Sequence, residues 1–249
     1  MNLLVDIGNS RIKWCDGGRA RAPGSLHAAV YTRADVGACL DAHWQILAKP
    51  ESIWVANVAG RSVAGQLSRW TMAHWAVEPQ FAEVARMAGG VRNAYADINQ
   101  LGVDRWLALI ATWQKYASAA CIVDCGTAVT VDGLDGAGRH LGGLIVPGIP
   151  MMRQALYQSA SGIPADDGAG FVHGLADNTA QGVITGCTLA VVALIDRAVT
   201  AIREKADDKL TCVITGGGAE QIRPLLQTGF VHDPLLVLSG LAVIAGGQT

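Results

Sequence analysis

Charge is scarce in this sequence. Only 16% of the 249 residues are charged, and the formal net charge is −2. Lysines and arginines are scattered and form no basic stripe, so the sequence predicts no nucleic-acid partner. Long apolar runs are missing as well, because the run Leu189–Ile195 is far shorter than the roughly 20 residues that span a bilayer. The N-terminal segment reaches Asp6 too early for a secretory signal. We therefore expect a cytoplasmic protein without a membrane partner.

Motifs for zinc and for the common nucleotide-binding loops are also missing. The six histidines form no HxxxH or HExxH pair and the six cysteines form no CxxC pair, although such pairs hold zinc in many enzymes. The cysteines lie in apolar runs, which favours buried, reduced thiols. Cys121 and Cys125 are four residues apart, but the residues around them are typical of a strand and a turn rather than of a metal-binding helix. No GxGxxG motif follows a strand, and no Gly-Lys-Ser/Thr follows the later glycine run.

What the sequence does contain is an internal repeat. The segment Leu4–Lys13 aligns with Ile122–Val131, and in each an apolar strand runs into an Asp-x-Gly-Asn/Thr turn and then into an alternating strand. This pattern is typical of a β-hairpin. A second pair of apolar strands follows, at Ser52–Val58 and Leu210–Gly216. The two halves of the chain therefore share one plan.

Helical periodicity completes each half, over Val103–Tyr116 and Cys187–Ile202. We predict an α/β fold with two similar domains, 1–117 and 118–249, because Ser and Ala replace bulky residues between Ala117 and Ala120. All seven tryptophans lie in the first half. No basic groove accompanies them, so we assign them to the core and to packing interfaces rather than to base stacking.

The paired Asp-x-Gly turns indicate phosphate chemistry. Glycine in a tight turn lets backbone N–H groups approach an anion, and Asn9, Ser10, Lys13 and Thr127 can add donors or positive charge. A carboxylate beside a phosphate is repelled unless a cation lies between them. Asp6 and Asp124 are therefore best explained as residues that hold Mg²⁺ or another cation.

A glycine run follows the last predicted strand, at Thr215–Gly218, and opens a probable helix. Glycines here allow close contact with a flat or anionic ligand, and a helix N-terminus favours negative charge. A flexible strand-to-helix turn explains the same residues equally well.

Together these features resemble the superfamily of acetate and sugar kinases, heat-shock protein 70 and actin, and more narrowly the type III pantothenate kinases. The matching segments occur in the family's order at roughly its spacing. They are Asp6–Lys13, Tyr95, Leu101–Trp106, Asp124–Ala128, Gly142–Gly148, Asn178–Thr179 and Thr215–Gly218. The Gly-Val-Asp-Arg and Gly-Gly-x-Ile-x-Pro-Gly pieces are the specific ones.

The resemblance implies two actin-like, ribonuclease H-like domains with a nucleotide cleft between them. It implies that ATP phosphorylates pantothenate to 4′-phosphopantothenate, the first step of coenzyme A synthesis, with Mg²⁺ and with potassium or ammonium. It also implies a homodimer with substrate pockets near the subunit boundary. The implied ATP-binding residues are Asp6, Ile7, Gly8, Asn9, Ser10, Arg11, Ile12, Lys13 and Thr127. The implied pantothenate-binding residues are Tyr95, Gly102, Val103, Asp104, Arg105 and Thr179, with Asp104 as catalytic base and Asp124 as the ligand of the monovalent cation.

This assignment of Asp104 and Arg105 is chemically sensible without the resemblance. A carboxylate can accept the proton of an attacking hydroxyl, which contributes roughly 10²–10⁴-fold, and a guanidinium is suited to a substrate carboxylate. Taken alone, the two residues are better explained as a surface pair at a helix start, and Thr179 equally as a helix cap. We further predict a stiff turn over Gly142–Pro150 and a mobile loop over Ser159–Gly170.

Two alternatives to a pantothenate kinase remain at the level of the sequence. The same fold could serve a kinase with another acceptor, or a phosphatase that uses water. A catalytically weak relative could instead act as a regulatory accessory protein, although the intact Asp104 and both Asp-Gly turns argue against it.

Overall fold

The computed structural model describes residues 1–19, 25–160, 162–163, 168–206 and 209–247. It contains two compact units. The first comprises Met1–Ala117, Gly138–His140 and the C-terminal segment from Leu235, and the second comprises Ser118–Ala137 and Leu141–Pro234. The domain limits expected from the sequence, 1–117 and 118–249, stay a prediction. Two segments from beyond residue 117 pack with the first unit.

The first unit is built on a five-stranded sheet. Its strands are β1 (Asn2–Ile7), β2 (Arg11–Asp16), β3 (His27–Val30), β4 (Ser52–Asn57) and β5 (Gln80–Phe81). They lie in the order β3-β2-β1-β4-β5. The pairs β1–β2 and β2–β3 are antiparallel, whereas β1–β4 and β4–β5 are parallel. This register places the first Asp-x-Gly turn at one end of the central strand.

Two helices pack with this sheet, α1 (Val36–Trp44) and α2 (Arg61–Trp75). Their apolar side chains join those of the strands in one core. Trp44 stacks on Trp75 with ring centroids 5.7 Å apart, and Trp14 and Trp70 pack edge-on against Trp44. These four tryptophans therefore belong to the core, as predicted, and contribute large buried areas to it.

A short hairpin and a helix carry the second part of the first unit. The hairpin pairs β6 (Met87–Ala88) with β7 (Val91–Arg92). The helix α3 (Val103–Tyr116) has the limits that the periodicity predicts. It ends there because Ala117 adopts the left-handed conformation, with φ of 45°, and its N–H bonds to the carbonyl of Trp113.

The second unit repeats the sheet of the first. Its strands are β8 (Ala120–Cys125), β9 (Ala128–Leu134), β10 (His140–Pro147), β11 (Thr211–Thr215) and β12 (Val231–His232). They lie in the order β10-β9-β8-β11-β12. β8 pairs antiparallel with β9 and parallel with β11, and β11 pairs parallel with β12. The predicted hairpins and the duplicated α/β plan are confirmed.

The helices of the second unit are α4 (Ile149–Ser159), α5 (Thr179–Arg203) and α6 (Ala219–Ile222). α5 contains the predicted helical segment and begins eight residues before it, because the Asn178 side chain caps its N-terminus by accepting from Gln181 N–H at 3.0 Å. By length and composition α5 could cross a membrane, but more than half of its most apolar stretch is buried in the second unit. The core helices of soluble proteins can have the same length and apolar composition.

The predicted turn over Gly142–Pro150 is wrong. β10 continues through Pro147, and α4 begins at Ile149. β10 is the edge strand of its sheet, where a proline can sit because no neighbour needs its N–H. Pro150 lies in the first turn of α4, a favourable position for the same reason. The predicted loop Ser159–Gly170 lies in part outside the described residues.

The C-terminal helix α7 (Leu236–Gly246) returns to the first unit and packs on α3. The close approach depends on Gly240, since a Cβ at this position would overlap the Leu107 backbone. Leu238 and Leu241 are buried there beside Leu107. α7 therefore supports α3, the helix that carries Asp104 and Arg105.

Candidate active site

The first Asp-x-Gly turn connects β1 to β2. It is closed by a hydrogen bond from Gly8 N–H to the Arg11 carbonyl, 3.0 Å. Asp6 and Lys13 are direct partners in the register, and Lys13 Nζ lies 3.8 Å from Asp6 Oδ2. The Asp6 side chain is buried, so water has little access to this ion pair from the aspartate side. The turn thus carries a carboxylate and an ammonium group side by side.

Two further predicted ATP-binding residues are core residues. Ile7 and Ile12 are fully buried, so only their backbone groups can meet a ligand. Asn9, Ser10 and Arg11 are exposed. The loop therefore offers polar groups at its tip and apolar anchors at both sides, an arrangement typical of an anion-binding turn.

Sequence reasoning missed two residues that hold this turn. The Tyr31 hydroxyl donates to the Gly8 carbonyl at 2.7 Å, and the Arg33 guanidinium donates to Asn9 Oδ1. The Arg33 carbonyl in turn accepts from Gln66 Nε2 at 3.0 Å. Burial is the main cause that raises the pKa of Tyr31, so its hydroxyl stays a donor at neutral pH. No short-range sequence pattern predicts these contacts, because they join residues more than twenty positions apart in the chain.

The second Asp-x-Gly turn connects β8 to β9. Gly126 N–H donates to the Ala128 carbonyl at 3.0 Å, as Gly8 does in the first turn. Here Asp124 pairs in register with Thr130 and with Thr215. The Cys125 carbonyl accepts from Gly218 N–H at 2.9 Å. The predicted glycine run therefore lies against the second turn.

Glycines surround the second turn closely. Gly216 has a φ of +91°, and a Cβ there would overlap the Asp124 carboxylate. At Gly148 a Cβ would lie 2.5 Å from the Gly126 carbonyl oxygen and 2.6 Å from that of Thr127. Gly148 N–H also donates to the Thr127 carbonyl at 2.9 Å. Only glycine leaves room for these oxygens.

The donor set around Asp124 fits a hard cation. It consists of a carboxylate and of neighbouring backbone carbonyls, the oxygen ligands that such ions prefer. Among the described residues there is no group of three or more His, Cys, Asp or Glu that could form an all-side-chain metal cage.

Cys121 and Cys125, on the strand that leads into this turn, are buried free cysteines. Burial, with a smaller contribution from Asp124, raises the pKa of Cys125 to about 12. A hydrogen bond with Cys212 and burial raise the pKa of Cys121 well above its ordinary value. Thiols bind metals as thiolates, which are disfavoured here. The assignment of these two cysteines as structural thiols is supported.

The predicted substrate residues of the first unit meet at the start of α3. Gly102 is the N-cap residue, and its carbonyl accepts from Trp106 N–H at 3.0 Å. Asp104 lies in the first turn, where Oδ1 accepts from Arg105 N–H at 2.8 Å. A Cβ at Gly102 would lie 2.6 Å from Asp104 Oδ1, so this glycine makes room for the carboxylate. Val103 is buried and anchors the turn.

Arg105 points to Tyr95. Its side chain is only 6% exposed, Nη1 donates to the Tyr95 hydroxyl at 3.1 Å, and the guanidinium carbon lies 5.7 Å from the ring centroid. A buried guanidinium requires several polar partners. An exposed pair at a helix start has no such requirement, because water can satisfy its polar groups. The structure therefore disagrees with the interpretation of Asp104 and Arg105 as an ordinary surface pair.

Thr179 lies in the second unit, at the first position of α5. The cap itself is Asn178, so the Thr179 hydroxyl is not the N-cap group. Thr179 lines an apolar groove of about 820 Å³ between α4 and α5, together with Met152, Leu156 and Gly186. Sequence reasoning did not indicate this groove.

Comparison with known proteins identifies the family of this chain. A family model described as type III pantothenate kinase matches residues 2–201. A type III pantothenate kinase from Nitrosococcus oceani is 42% identical over 252 residues, covering 98% of this chain and 94% of the relative. Another, from Alcanivorax borkumensis, is 35% identical over 250 residues and covers 100% of both chains.

Solved structures show the same fold at lower identity. A protein described as a Baf family transcriptional activator from Campylobacter jejuni has a TM-score of 0.63 at 20% identity, covering 99% of this chain and 100% of that one. A protein described as a 2-dehydro-3-deoxygalactonokinase from Sinorhizobium meliloti has a TM-score of 0.60 at 13% identity, covering 100% and 99%. These similarities establish an actin-like α/β fold. With the family match and the full-length relatives, they show that the chain belongs to the type III pantothenate kinase family.

Proposed function

We propose that this chain transfers the γ-phosphoryl group of ATP to the 4′ hydroxyl of pantothenate, with Asp104 as the general base. The family assignment makes the chain an ATP-dependent kinase and supports neither another acceptor nor a regulatory protein. The observation that carries the residue roles is the grouping of Tyr95, Gly102, Asp104 and Arg105 in the first unit. These four residues are the ones that the resemblance assigned to pantothenate, and they meet at the start of one helix.

Asp104 accepts the hydroxyl proton in the proposed step. As the proton moves to the carboxylate, the hydroxyl oxygen forms a bond to the γ-phosphorus, and the bond from phosphorus to the β–γ bridging oxygen breaks to leave ADP. The N-terminal end of α3 favours negative charge at this position. The hydrogen bond that Asp104 Oδ1 accepts from Arg105 N–H fixes the carboxylate in one orientation. Phosphoryl transfer requires positioning of this kind.

Arg105 binds the substrate carboxylate in this proposal. A guanidinium is a planar fork that can make two parallel hydrogen bonds to a carboxylate. Tyr95 contacts the guanidinium on one side, through its hydroxyl and its ring. The arrangement therefore supports an acceptor that is an acid.

The two Asp-x-Gly turns provide the groups for ATP in this proposal. In the first turn, Lys13 and the backbone N–H groups of Asn9 and Ser10 would contact phosphate oxygens, and Asp6 would hold Mg²⁺. In the second turn, Thr127 would contact ATP, and Asp124 together with nearby carbonyl oxygens would hold potassium or ammonium. Both cations would neutralise the negative charge of the phosphates.

We further propose that the chain works as a cytoplasmic homodimer that packs through the α4–α5 face. Met151, Leu156 and Leu189 are exposed on these helices, and an exposed apolar patch of this kind commonly marks an interface. The exposed Gly186 has no heavy atom within 4 Å of where its Cβ would be, so another helix can approach closely. Thr179 lies on the same groove, which supports a substrate pocket near the subunit boundary.

The dimer is tested by a change that spares the protomer. Gly186→Arg places a long charged side chain into open space, so the protomer should fold normally while the dimer dissociates. Thr200→Arg, farther along α5 at another exposed position, is the matched control and should stay dimeric. Sedimentation velocity measures both. A dimeric Gly186→Arg variant would exclude this face as the interface.

The activity is tested by ADP release with and without pantothenate, for the wild type and for Asp104→Asn. We expect release that requires pantothenate and that falls by about 10²–10⁴-fold in the variant. Release without an acceptor would indicate a hydrolase. Binding of ATP without turnover would indicate a regulatory protein. An Asp104→Asn variant with unchanged kcat would remove Asp104 from the role of base.

A further inference from the structure

His140 is a buried residue next to the proposed pantothenate pocket that no motif indicated. It belongs to the short segment Gly138–His140, which packs with the first unit. Its side chain is 3% exposed. The imidazole stacks on Tyr95, with ring centroids 5.7 Å apart and an angle of 12° between the planes. This buried polar ring is stacked on Tyr95, a proposed substrate-binding residue, which calls for an explanation beyond packing.

The segment that carries His140 is fixed on the first unit. The Gly138 carbonyl accepts from Arg92 N–H at 2.9 Å. The backbone of Arg139 also pairs with that of Arg92 in an isolated parallel β-bridge. Gly138 has a φ of +76°, and a Cβ there would lie 2.6 Å from the Gly90 carbonyl oxygen and 3.0 Å from the Trp113 ring. The backbone next to His140 therefore has little freedom to move.

The backbone of Tyr95 is fixed as well. Its N–H donates to Asn93 Oδ1 at 2.9 Å, and its carbonyl accepts from Arg86 Nη1 at 2.6 Å. Arg86 also donates to the Ala96 carbonyl at 2.9 Å. With the backbone held on both sides, the freedom left to Tyr95 is rotation of its side chain. The stack on His140 removes that freedom.

Tyr95 in turn contacts Arg105. The hydroxyl accepts from Arg105 Nη1 at 3.1 Å, and the guanidinium lies over the ring. The three side chains thus form a series in which His140 contacts Tyr95 and Tyr95 contacts Arg105. The hydrogen bond and the ring contact both come from the Tyr95 side chain, so the position of its ring contributes to the orientation of the guanidinium.

We propose that His140 is a positioning residue for the acceptor substrate: by stacking on Tyr95 it sets the direction of the Arg105 guanidinium, and so the selectivity for an acceptor that carries a carboxylate. This inference rests on the proposed function, in which Arg105 binds the carboxylate of pantothenate. His140 itself does not touch the substrate in this proposal. Its effect reaches the substrate only through Tyr95.

The proposal is tested with two acceptors, pantothenate and its alcohol analogue pantothenol, in which CH₂OH replaces the carboxylate. The measured quantity is the ratio of kcat/KM for the two acceptors. In His140→Leu, which replaces the imidazole by an apolar side chain without a ring, we expect this ratio to fall about 10- to 100-fold, the range for a misplaced binding group. KM for pantothenate should rise, whereas KM for ATP should stay within about twofold because the phosphate-binding groups are untouched.

Two variants serve as matched controls. His140→Phe keeps an aromatic ring for the stack and should retain most of the selectivity. His27→Ala removes another histidine of the first unit that stacks on an aromatic ring, Trp14, with centroids 5.6 Å apart, and should leave the ratio unchanged. Thermal melting measures folding in each variant. If His140→Leu does not fold, His140→Asn replaces it, since Asn is small and polar and has no ring.

A double-mutant cycle with Tyr95 separates positioning from general packing. If His140 acts only through Tyr95, His140→Leu changes the acceptor ratio in the wild type but not in a Tyr95→Ala background. A purely structural role would lower the melting temperature in both backgrounds and leave the acceptor ratio unchanged. Equal ratios in the wild type, His140→Leu and His140→Phe would overturn the proposal.

The failure of this inference can be told from failure of the proposed function. A wild type that neither binds nor phosphorylates pantothenate, measured by calorimetry with a non-hydrolysable ATP analogue and by ADP release, overturns both. A wild type that phosphorylates pantothenate with strong preference over pantothenol, together with an unchanged preference in the ring-less variant, overturns only the role of His140.

Discussion

The two Asp-x-Gly turns share a backbone plan and differ in their chemistry. Each connects the central strand of a five-stranded sheet to its antiparallel neighbour, and the two sheets have the same strand order. In the first turn, the residue opposite the aspartate in the register is Lys13, and in the second it is Thr130. The first turn therefore pairs its carboxylate with the Lys13 ammonium group, whereas a neutral threonine faces Asp124 in the register of the second turn.

The surroundings of the turns extend this difference. The first turn is held by side chains, through Tyr31 on Gly8 and Arg33 on Asn9. The second is packed against glycine backbone, at Gly148 and Gly216. The difference supports the proposed division of roles, in which the first turn, with its fixed positive charge, binds phosphate and the second, with its oxygen ligands, holds a cation.

The largest expected effect comes from removing the fixed charge of the first turn. Lys13→Met should lower kcat/KM for ATP about 10²–10³-fold, because a cation aimed at the phosphate oxygens is lost. Lys49→Met, at an exposed position of the same unit, makes the same charge change and should have little effect. Steady-state kinetics with varied ATP measure both. Equal kinetics for the two variants would contradict the phosphate role of the first turn.

The next effect concerns the glycines. Gly216→Ala should lower the free energy of unfolding by at least about 2 kcal/mol, since φ of +91° strains an L residue and the new methyl overlaps Asp124. Gly8→Ala meets only the Arg11 carbonyl at 3.5 Å and should be nearly neutral. The control Gly65→Ala, in the interior of α2, should stabilise that helix by about 0.5–1 kcal/mol. Urea unfolding measures all three, and similar losses at Gly8 and Gly216 would remove this difference between the turns.

A smaller effect is expected from making the second turn resemble the first. Thr130→Lys places an ammonium group opposite Asp124, where it competes with the monovalent cation. Activation by potassium should fall about fivefold, the effect of ~1 kcal/mol for one partly exposed ion pair. Thr130→Met, of similar length but uncharged, should keep the potassium dependence. ADP release is measured against KCl at constant ionic strength. Full potassium activation in the lysine variant would argue against Asp124 as the cation ligand.

The smallest effect is expected at the support of the first turn. Tyr31→Phe removes the hydrogen bond to the Gly8 carbonyl, which contributes about 1 kcal/mol or less. KM for ATP should rise about threefold, with KM for pantothenate unchanged. Tyr116→Phe, at the end of α3, is the control. Isothermal calorimetry with an ATP analogue provides an independent measure, and unchanged ATP affinity would show that Tyr31 does not order the loop.

Local patterns in the sequence predicted the elements that carry the site. The hairpins follow from Asp-x-Gly turns between apolar strands, and α3 from its helical period, because these signals come from residues close together in the chain. The predicted turn over Gly142–Pro150 failed for the opposite reason. Whether a proline ends a strand depends on whether that strand lies at the edge of the sheet, and strand order is a long-range property.

The candidate site was predictable only in part. The assignment of Asp104, Arg105 and Tyr95 came from resemblance to a family, since each residue alone has a common structural explanation. Tyr31, Arg33 and His140 gave no signal, because each contacts residues far away in the sequence. The return of α7 to the first unit was missed as well, since it depends on how Gly240 fits against the backbone of Leu107.

By itself, the sequence determined the duplicated hairpin plan, the helical segments of α3 and α5 and the chemical groups at the turns, because short-range periodicity and turn residues encode them. Tertiary structure alone decided the ring contacts around Tyr95, the ion pair of Asp6 with Lys13 and the glycine packing around Asp124. These features depend on which strands are neighbours and on how closely two backbones approach, and both are settled only when distant segments pack together.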